Sequence, residues 1–293
     1  MRTARTAIAL LLCVGFALAA TACVEPASGS ANRDGMGANN TSSGDMNSAA
    51  NMAGGEDRII VSAYHSQEKI NSALGLHCFI VPGENGALPL VLSTPVDDGS
   101  LDVEDFIIGA GEETMTPVCA KLIPFPGEHE KSTIVLIGNF GDIGGAPETV
   151  DIVGQLTGSD GTSLRGARAD VTPLGAGTEL VWAERYAPDE PGFSGDCPGG
   201  TAQVIQLVWS SGVKGAGGED FGEDSANALT FELENGESAS PMVLVDDDSD
   251  NYMVACLGAT SPASAVSVSA EAFADLGGNT NPAGAVRVVE HEQ

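Results

Sequence analysis

Leu229, Phe231 and Leu233 alternate with Thr230, Glu232 and Glu234, and Asn235-Gly236 follows directly. A period of two sends successive side chains to opposite faces of an extended chain, so this stretch predicts a strand with one buried and one wet face. Asn and Gly both tolerate positive φ, and the pair predicts a type I′ hairpin turn. Shorter versions of the signal recur at Val266 and Val268 against Ser267 and Ser269, and at Val286 and Val288 around Arg287. Residues 133–138 differ, because Ile134, Val135, Leu136 and Ile137 are consecutive, which predicts a strand covered on both faces. Further apolar runs at 59–63, 78–81, 88–92, 150–156, 167–171, 242–245 and 252–257 are separated by turn signals such as Pro82-Gly83, Asn85-Gly86 and Asp160-Gly161. Helical spacing appears only over 66–74, two turns ending at Gly75. With 38 glycines and 15 prolines, the pattern is all-β and of sandwich type.

The first 56 residues do not follow this pattern. Arg2 and Arg5 precede an uncharged apolar run over 7–20, which is too short for a bilayer-spanning helix of roughly 20 apolar residues and suits a signal-peptide core. Small residues follow, Ala20-Thr21-Ala22, and then Cys23. This resembles the lipobox of bacterial lipoproteins, with Ala20 where that pattern usually has Leu. The resemblance implies cleavage before Cys23, diacylation of that cysteine and a membrane anchor. Each buried methylene contributes roughly 0.8 kcal/mol, so two or three acyl chains hold a protein essentially permanently. From Val24 to Glu56 the chain is Ala, Ser, Asn, Gly, Thr and Met with hardly an aliphatic side chain. Such a segment buries too little apolar surface to offset ordering entropy and is expected to be a disordered coil of roughly 30 Å mean span. The expected organisation is therefore a signal over 1–22, a lipidated cysteine and linker over 23–56, and a head from 57 onward, lipid-anchored at the outer membrane or cell surface.

Acidic residues number 41 against 12 basic, a net charge of −29. That balance argues against nucleic acid and against direct adhesion to an anionic membrane. It suits a cation, a basic partner, or solubility alone, and most of these carboxylates are expected on solvated β surface. Outside Cys13 and Cys23, four cysteines remain: Cys78, Cys119, Cys197 and Cys256. An even count in an exported chain reads as disulfides, and four cysteines allow three pairings. A division of the head into 57–187 and 188–293, at the proline-bracketed stretch 187–192, favours Cys78–Cys119 and Cys197–Cys256. No two of them have zinc-knuckle spacing.

Two stretches carry a second resemblance. Pro95-Val96-Asp97, Ser100-Leu101 and Glu104-Asp105-Phe106 look like the "PVD…SL…xxF" stretch of bacterial Ig-like surface domains. Asp275-Leu276-Gly277-Gly278-Asn279 is similar to the turn before their last strand. The first half lacks that turn and the second half lacks the PVD stretch. The resemblance implies two Ig-like β-sandwich modules in tandem, and it implies no activity.

Candidate chemistry is sparse. Asp246, Asp248 and Asp250 sit at alternate positions, the spacing by which a tight loop wraps oxygens around calcium, and Asn251 falls where an EF-hand loop has its glycine. The closing bidentate Glu is absent, since position twelve is Leu257. The competing reading is an acidic surface loop between two strands, as for Glu219, Asp220, Glu223 and Asp224. Gly192-Phe193-Ser194-Gly195-Asp196 lacks the last glycine of a nucleophile elbow and reads as a turn beside Cys197. His65, His77, His129 and His291 are far apart in sequence, with His65 and His77 the pair that paired strands could bring together. Trp182, Trp209 and the three tyrosines read as core anchors. The leading expectation is a non-catalytic envelope lipoprotein whose head is structural or binds an envelope protein or polymer. A calcium-dependent adhesion module is the alternative, and an envelope hydrolase has no constellation behind it.

Overall fold

In chain order the strands of the first lobe are β1 (Ile60–Ala63), β2 (Gly86–Leu92), β3 (Phe106–Ala110), β4 (Glu113–Met115), β5 (Cys119–Leu122), β6 (Thr133–Gly138), β7 (Thr149–Ile152) and β8 (Arg168–Asp170). The second lobe holds β9 (Leu180–Tyr186), β10 (Gln203–Trp209), β11 (Val213–Gly215), β12 (Leu229–Leu233), β13 (Ser238–Ala239), β14 (Val243–Val245), β15 (Tyr252–Leu257), β16 (Ala263–Val268), β17 (Phe273–Asp275) and β18 (Gly284–Glu290). One short helix, α1 (Glu223–Asn227), takes up part of the expected acidic loop at 219–224. The computed structural model describes residues 58–67, 78, 85–122, 127, 129–140, 145–193, 197–218, 220–245 and 250–291, all within one compact unit, Ser42–Gln293. The signal, Cys23, the linker and most of the expected helix at 66–74 lie outside the described residues.

The two lobes repeat one strand order. In the first, sheets β1-β2-β6-β5 and β4-β3-β7-β8 face each other across a core of Leu88, Leu90, Ile134 and Leu136 from one side and Phe106, Ile108, Val150 and Ile152 from the other. In the second, β9-β10-β15-β14 and β13-β12-β16-β18 do the same around Ile205, Leu207, Trp209, Phe231 and Val266, with β11-β17 as an added ribbon. The last strand closes onto the first in parallel in both lobes. β18 pairs β9 from Val288↔Ala183 to Glu290↔Arg185, and in the first lobe a parallel bridge joins Tyr64 to Thr172.

The core of the first lobe ends at Val171 and that of the second begins at Leu180, so the change of lobe falls in 172–179. The division expected after 187 would separate β9 from β10, which are in register from Val204↔Tyr186 to Trp209↔Leu180. A polar proline-bracketed stretch marks a surface loop, and this one joins two strands of one lobe. The linker is tightly fitted. Gly177 has φ +84°, and a Cβ there would run into the Thr280 carbonyl, so no other residue fits.

The hairpin after β12 forms with a different turn. Gly236 is at φ +83°, whereas Asn235 stays out of the left-handed region. Gly236 N–H donates to Leu233 O and Leu233 N–H to Glu237 O, the three-residue loop with a bulge rather than type I′. The Asn235 side chain explains the choice, since its Oδ1 accepts from Glu237 N–H and its Nδ2 donates to Glu237 Oε2. The stretch around Pro95 to Phe106 is likewise architectural. Asp97 Oδ1 accepts from Gly99 N–H, Ser100 Oγ accepts from Thr157 N–H, and buried Asp105 accepts from Asp102 and Gln155 N–H. These bonds tie the β2–β3 connection to the β7–β8 connection.

Both disulfides form, Cys78–Cys119 and Cys197–Cys256. They mark a chain that folds in an oxidising, exported compartment. Neither bridges the two sheets of a lobe. Cys119 clusters with Ala87, Val135 and Ile137, and Cys197 with Tyr186, Phe193 and Val204, on the side of the sheet away from the core. Among the described residues no helix is long and apolar enough to cross a membrane.

Candidate functional site

β2, β6 and β10 are buried along their whole length, as the unbroken apolar run of β6 predicted. On their outer faces Val91 and Val208 are covered by the other lobe, whereas Val135 and Ile137 pack with Ala87 and Cys119, and Val204 with Tyr186 and Phe193, of their own lobe. Val91 lies between Leu90 and Leu92, which face the first core, and turns outward to pack with Val208 and Tyr252, flanked by Val61 and Trp182. The lobes are therefore joined through the outer faces of β1-β2-β6-β5 and β9-β10-β15-β14.

Polar contacts fix the middle and both ends of this seam. In the middle, Tyr252 OH donates to Thr133 Oγ1 (2.9 Å) and lies 3.0 Å from Ser132 Oγ. Asn251 Nδ2 donates to Thr133 Oγ1 (2.9 Å) and to Trp209 O (3.1 Å). Burial pushes the Tyr252 phenol well above its ordinary range. At one end, fully buried Tyr64 of the first lobe donates to Asp275 Oδ2 (3.0 Å). Asp275 is 4% exposed and is the hub of its turn. Its Oδ1 accepts from Gly277 N–H and Asn279 N–H, and both oxygens accept from Asn279 Nδ2. The Asp-Leu-Gly-Gly-Asn motif is thus a socket for a tyrosine of the other lobe.

At the far end sits a ring cluster that sequence separation concealed. His129, from the β5–β6 connection, reaches Pro191 O with Nε2 at 2.7 Å and stacks on Phe193 at 4.8 Å. Tyr186 lies 4.8 Å from His129 and 4.4 Å from His291, and the two imidazoles meet edge to face at 5.5 Å. His291 Nδ1 is 2.7 Å from Glu184 Oε1. Burial, then the Glu184 charge, raises the Tyr186 phenol far out of its usual range, so it stays protonated. The carboxylate and the imidazole are in direct contact, and no hydroxyl or thiol of the described residues is hydrogen-bonded to either imidazole. The only hint in the sequence was that His129 and His291 flank strand ends rather than sit in strands.

The expected sites fall out as follows. Asp246 and Asp248 lie outside the described residues. Asp250 is buried and accepts from Tyr252 N–H at 2.6 Å, and the amide of Asn251 is committed to the seam. Among the described residues no three His, Cys, Asp or Glu side chains are placed to hold a metal ion. His65 is buried edge-on to Phe140 at 5.5 Å, whereas His77 and Ser194 lie outside the described residues. Trp209, Tyr64, Tyr186 and Tyr252 are buried, as expected of anchors, but the three tyrosines serve the seam rather than a lobe's own core.

Strand order defines the class of protein: two immunoglobulin-like β-sandwiches in tandem, each with the A-B-E-D and C′-C-F-G sheets of that fold. No family model matches the chain, and no curated protein does. Among solved structures it is similar to bovine butyrophilin, with 12% identity over 71% of this chain and 92% of that one and a TM-score of 0.17. It is also similar to a two domain protein with unknown function from Bacteroides fragilis, with 9% identity over 78% of this chain and 89% of that one and a TM-score of 0.12. At such scores neither likeness carries an argument, and the class rests on the strand order alone.

Proposed function

We propose that this chain is a non-catalytic, lipid-anchored protein of the bacterial cell envelope whose double Ig-like head binds an envelope protein or polymer. The observation that carries the reading is the seam. Two sandwiches joined through part of their A-B-E-D faces form one block, and the C′-C-F-G faces remain outward for a partner. Acidic residues outnumber basic ones 41 to 12, so most of its acidic groups are left to solvent or to a basic partner. The lipobox at Cys23 supplies the anchor, and the polar segment to Glu56 supplies reach.

Cys23→Ser tests the anchor. The wild-type protein expressed in a bacterium is expected in the membrane fraction and in the detergent phase on Triton X-114 partitioning, with metabolic palmitate label. The variant is expected in the aqueous phase without label. Wild-type protein found unlabelled in the aqueous phase would sink the proposal.

A further inference from the structure

Two histidines from different lobes meet at the far end of the seam, each with one ring nitrogen left over. His129 belongs to the β5–β6 connection of the first lobe, and His291 follows β18 in the second. The Pro191 carbonyl can only accept, so the His129 Nε2 that lies 2.7 Å from it carries the proton. A neutral imidazole has a single N–H, and His129 Nδ1 is therefore a lone pair. His291 is held in the opposite tautomer. Its Nδ1 donates to Glu184 Oε1 at 2.7 Å, which leaves the lone pair on Nε2. Neither lone pair accepts a hydrogen bond from a described residue.

Histidines that ligate a transition metal carry this arrangement: the outer nitrogen donates to a carboxylate or a backbone carbonyl, which fixes the ring and its tautomer. A tetrahedral ion with metal–nitrogen bonds of about 2.0–2.1 Å holds two imidazole centroids roughly 5–6 Å apart. The centroids of His129 and His291 are 5.5 Å apart. Phe193 stacks on His129 and Tyr186 on His291, so both rings are braced. The His291 side chain is 27% exposed, and an ion can reach it from solvent. Carboxylates surround the cluster: Glu184 touches His291, Glu190 acts electrostatically on Tyr186, and Glu130 acts on Tyr252. Such a field draws cations in.

We propose that His129 and His291 form a binding site for a transition-metal dication of the zinc class, with one ligand from each lobe. Glu184 and the Pro191 carbonyl set the two tautomers. Imidazole nitrogen suits zinc, nickel or copper, whereas calcium takes oxygen ligands, so the site differs in kind from the calcium loop expected at 246–251. Among the described residues no third His, Cys, Asp or Glu joins the pair, and water completes the coordination. The ion needs both lobes in place, so it stabilises the closed seam by mass action.

The intact chain, stripped of metal with EDTA, is titrated with zinc chloride and followed by calorimetry and by long-range ¹H–¹⁵N spectra of the imidazoles. Zinc is expected to shift the resonances of His129 Nδ1 and His291 Nε2, while His129 Nε2 and His291 Nδ1 keep their protons. Calcium chloride is expected to move neither ring. His129→Phe and His291→Phe keep a ring in the stack and remove the ligand. Each is expected to weaken zinc binding by more than about a hundredfold, beyond the cost of losing an outer-shell partner. Absence of zinc binding, or affinity unchanged in either variant, overturns the proposal. So does a titration in which the two lone-pair nitrogens do not both shift, a readout taken on the wild type and independent of whether the variants fold.

Discussion

Asp275→Ala is expected to destabilise the head by about 3–5 kcal/mol, read as a shift of the urea midpoint at neutral pH. The carboxylate is buried and accepts from two backbone N–H groups, an amide and a phenol. Removing it leaves these donors facing an apolar methyl group, and a buried donor without an acceptor costs roughly 1–3 kcal/mol. Tyr64→Phe removes one donor and leaves the turn intact, so its cost is expected to be smaller, about 1.5–3 kcal/mol for a bond to a charged group. In a double-mutant cycle the two changes should couple, because they share one bond. A loss below about 1 kcal/mol for Asp275→Ala would mean that Gly277, Gly278 and Asn279 hold the turn without the carboxylate.

Replacing Cys197 and Cys256 together by Ser is expected to cost about 4 kcal/mol, from the loop entropy that a bridge of separation 59 removes from the unfolded chain. The effect should exceed that figure somewhat, since Cys256 is fully buried and Ser brings a hydroxyl among apolar groups. The bridge fastens the β9–β10 connection, which carries Pro191 and Phe193, to the sheet. His129 contacts both residues, so the far end of the seam should loosen with it. Calorimetry with and without reductant checks this: the wild type should lose more stability on reduction than the double variant, in which only the Cys78–Cys119 bridge is left to reduce. An unchanged melt on reduction would show that the loop is held by its rings alone.

The sequence was most legible where one face of a strand is wet. β12 reads directly from Leu229, Phe231 and Leu233, and β16 from Val266 and Val268. β6 announced double burial but not its cause, because a strand covered by a second sheet and a strand covered by the Cys119 cluster of its own lobe have the same composition. β10 was not legible at all. Its sequence Gln203-Val-Ile-Gln-Leu-Val-Trp209 has neither alternation nor an unbroken apolar run, yet all seven residues are buried. Gln203 is buried by bonding Ala259 O, Ser261 O and Ala263 N–H, a long-range arrangement no local pattern encodes. The seam escaped for the same reason. Tyr64, Tyr252 and Trp182 were recognisable as anchors, but which surface each anchors depends on partners far away in the chain. Pairing of the cysteines was readable because each half carried two of them.

The parallel closure of β1 onto β8, with Tyr64 at its end, also sets how the head carries load. A pull applied through the residues before Ile60 runs along β1 rather than across it, so the β1–β2 ladder from Ile60↔Leu92 to Ala63↔Leu90 is sheared as a set instead of peeled bond by bond. The strain then leaves the strand through the Tyr64 hydroxyl into Asp275. Tension entering at the N-terminal end of the first sandwich is thus shared between the β1–β2 ladder and the Tyr64–Asp275 bond into the second.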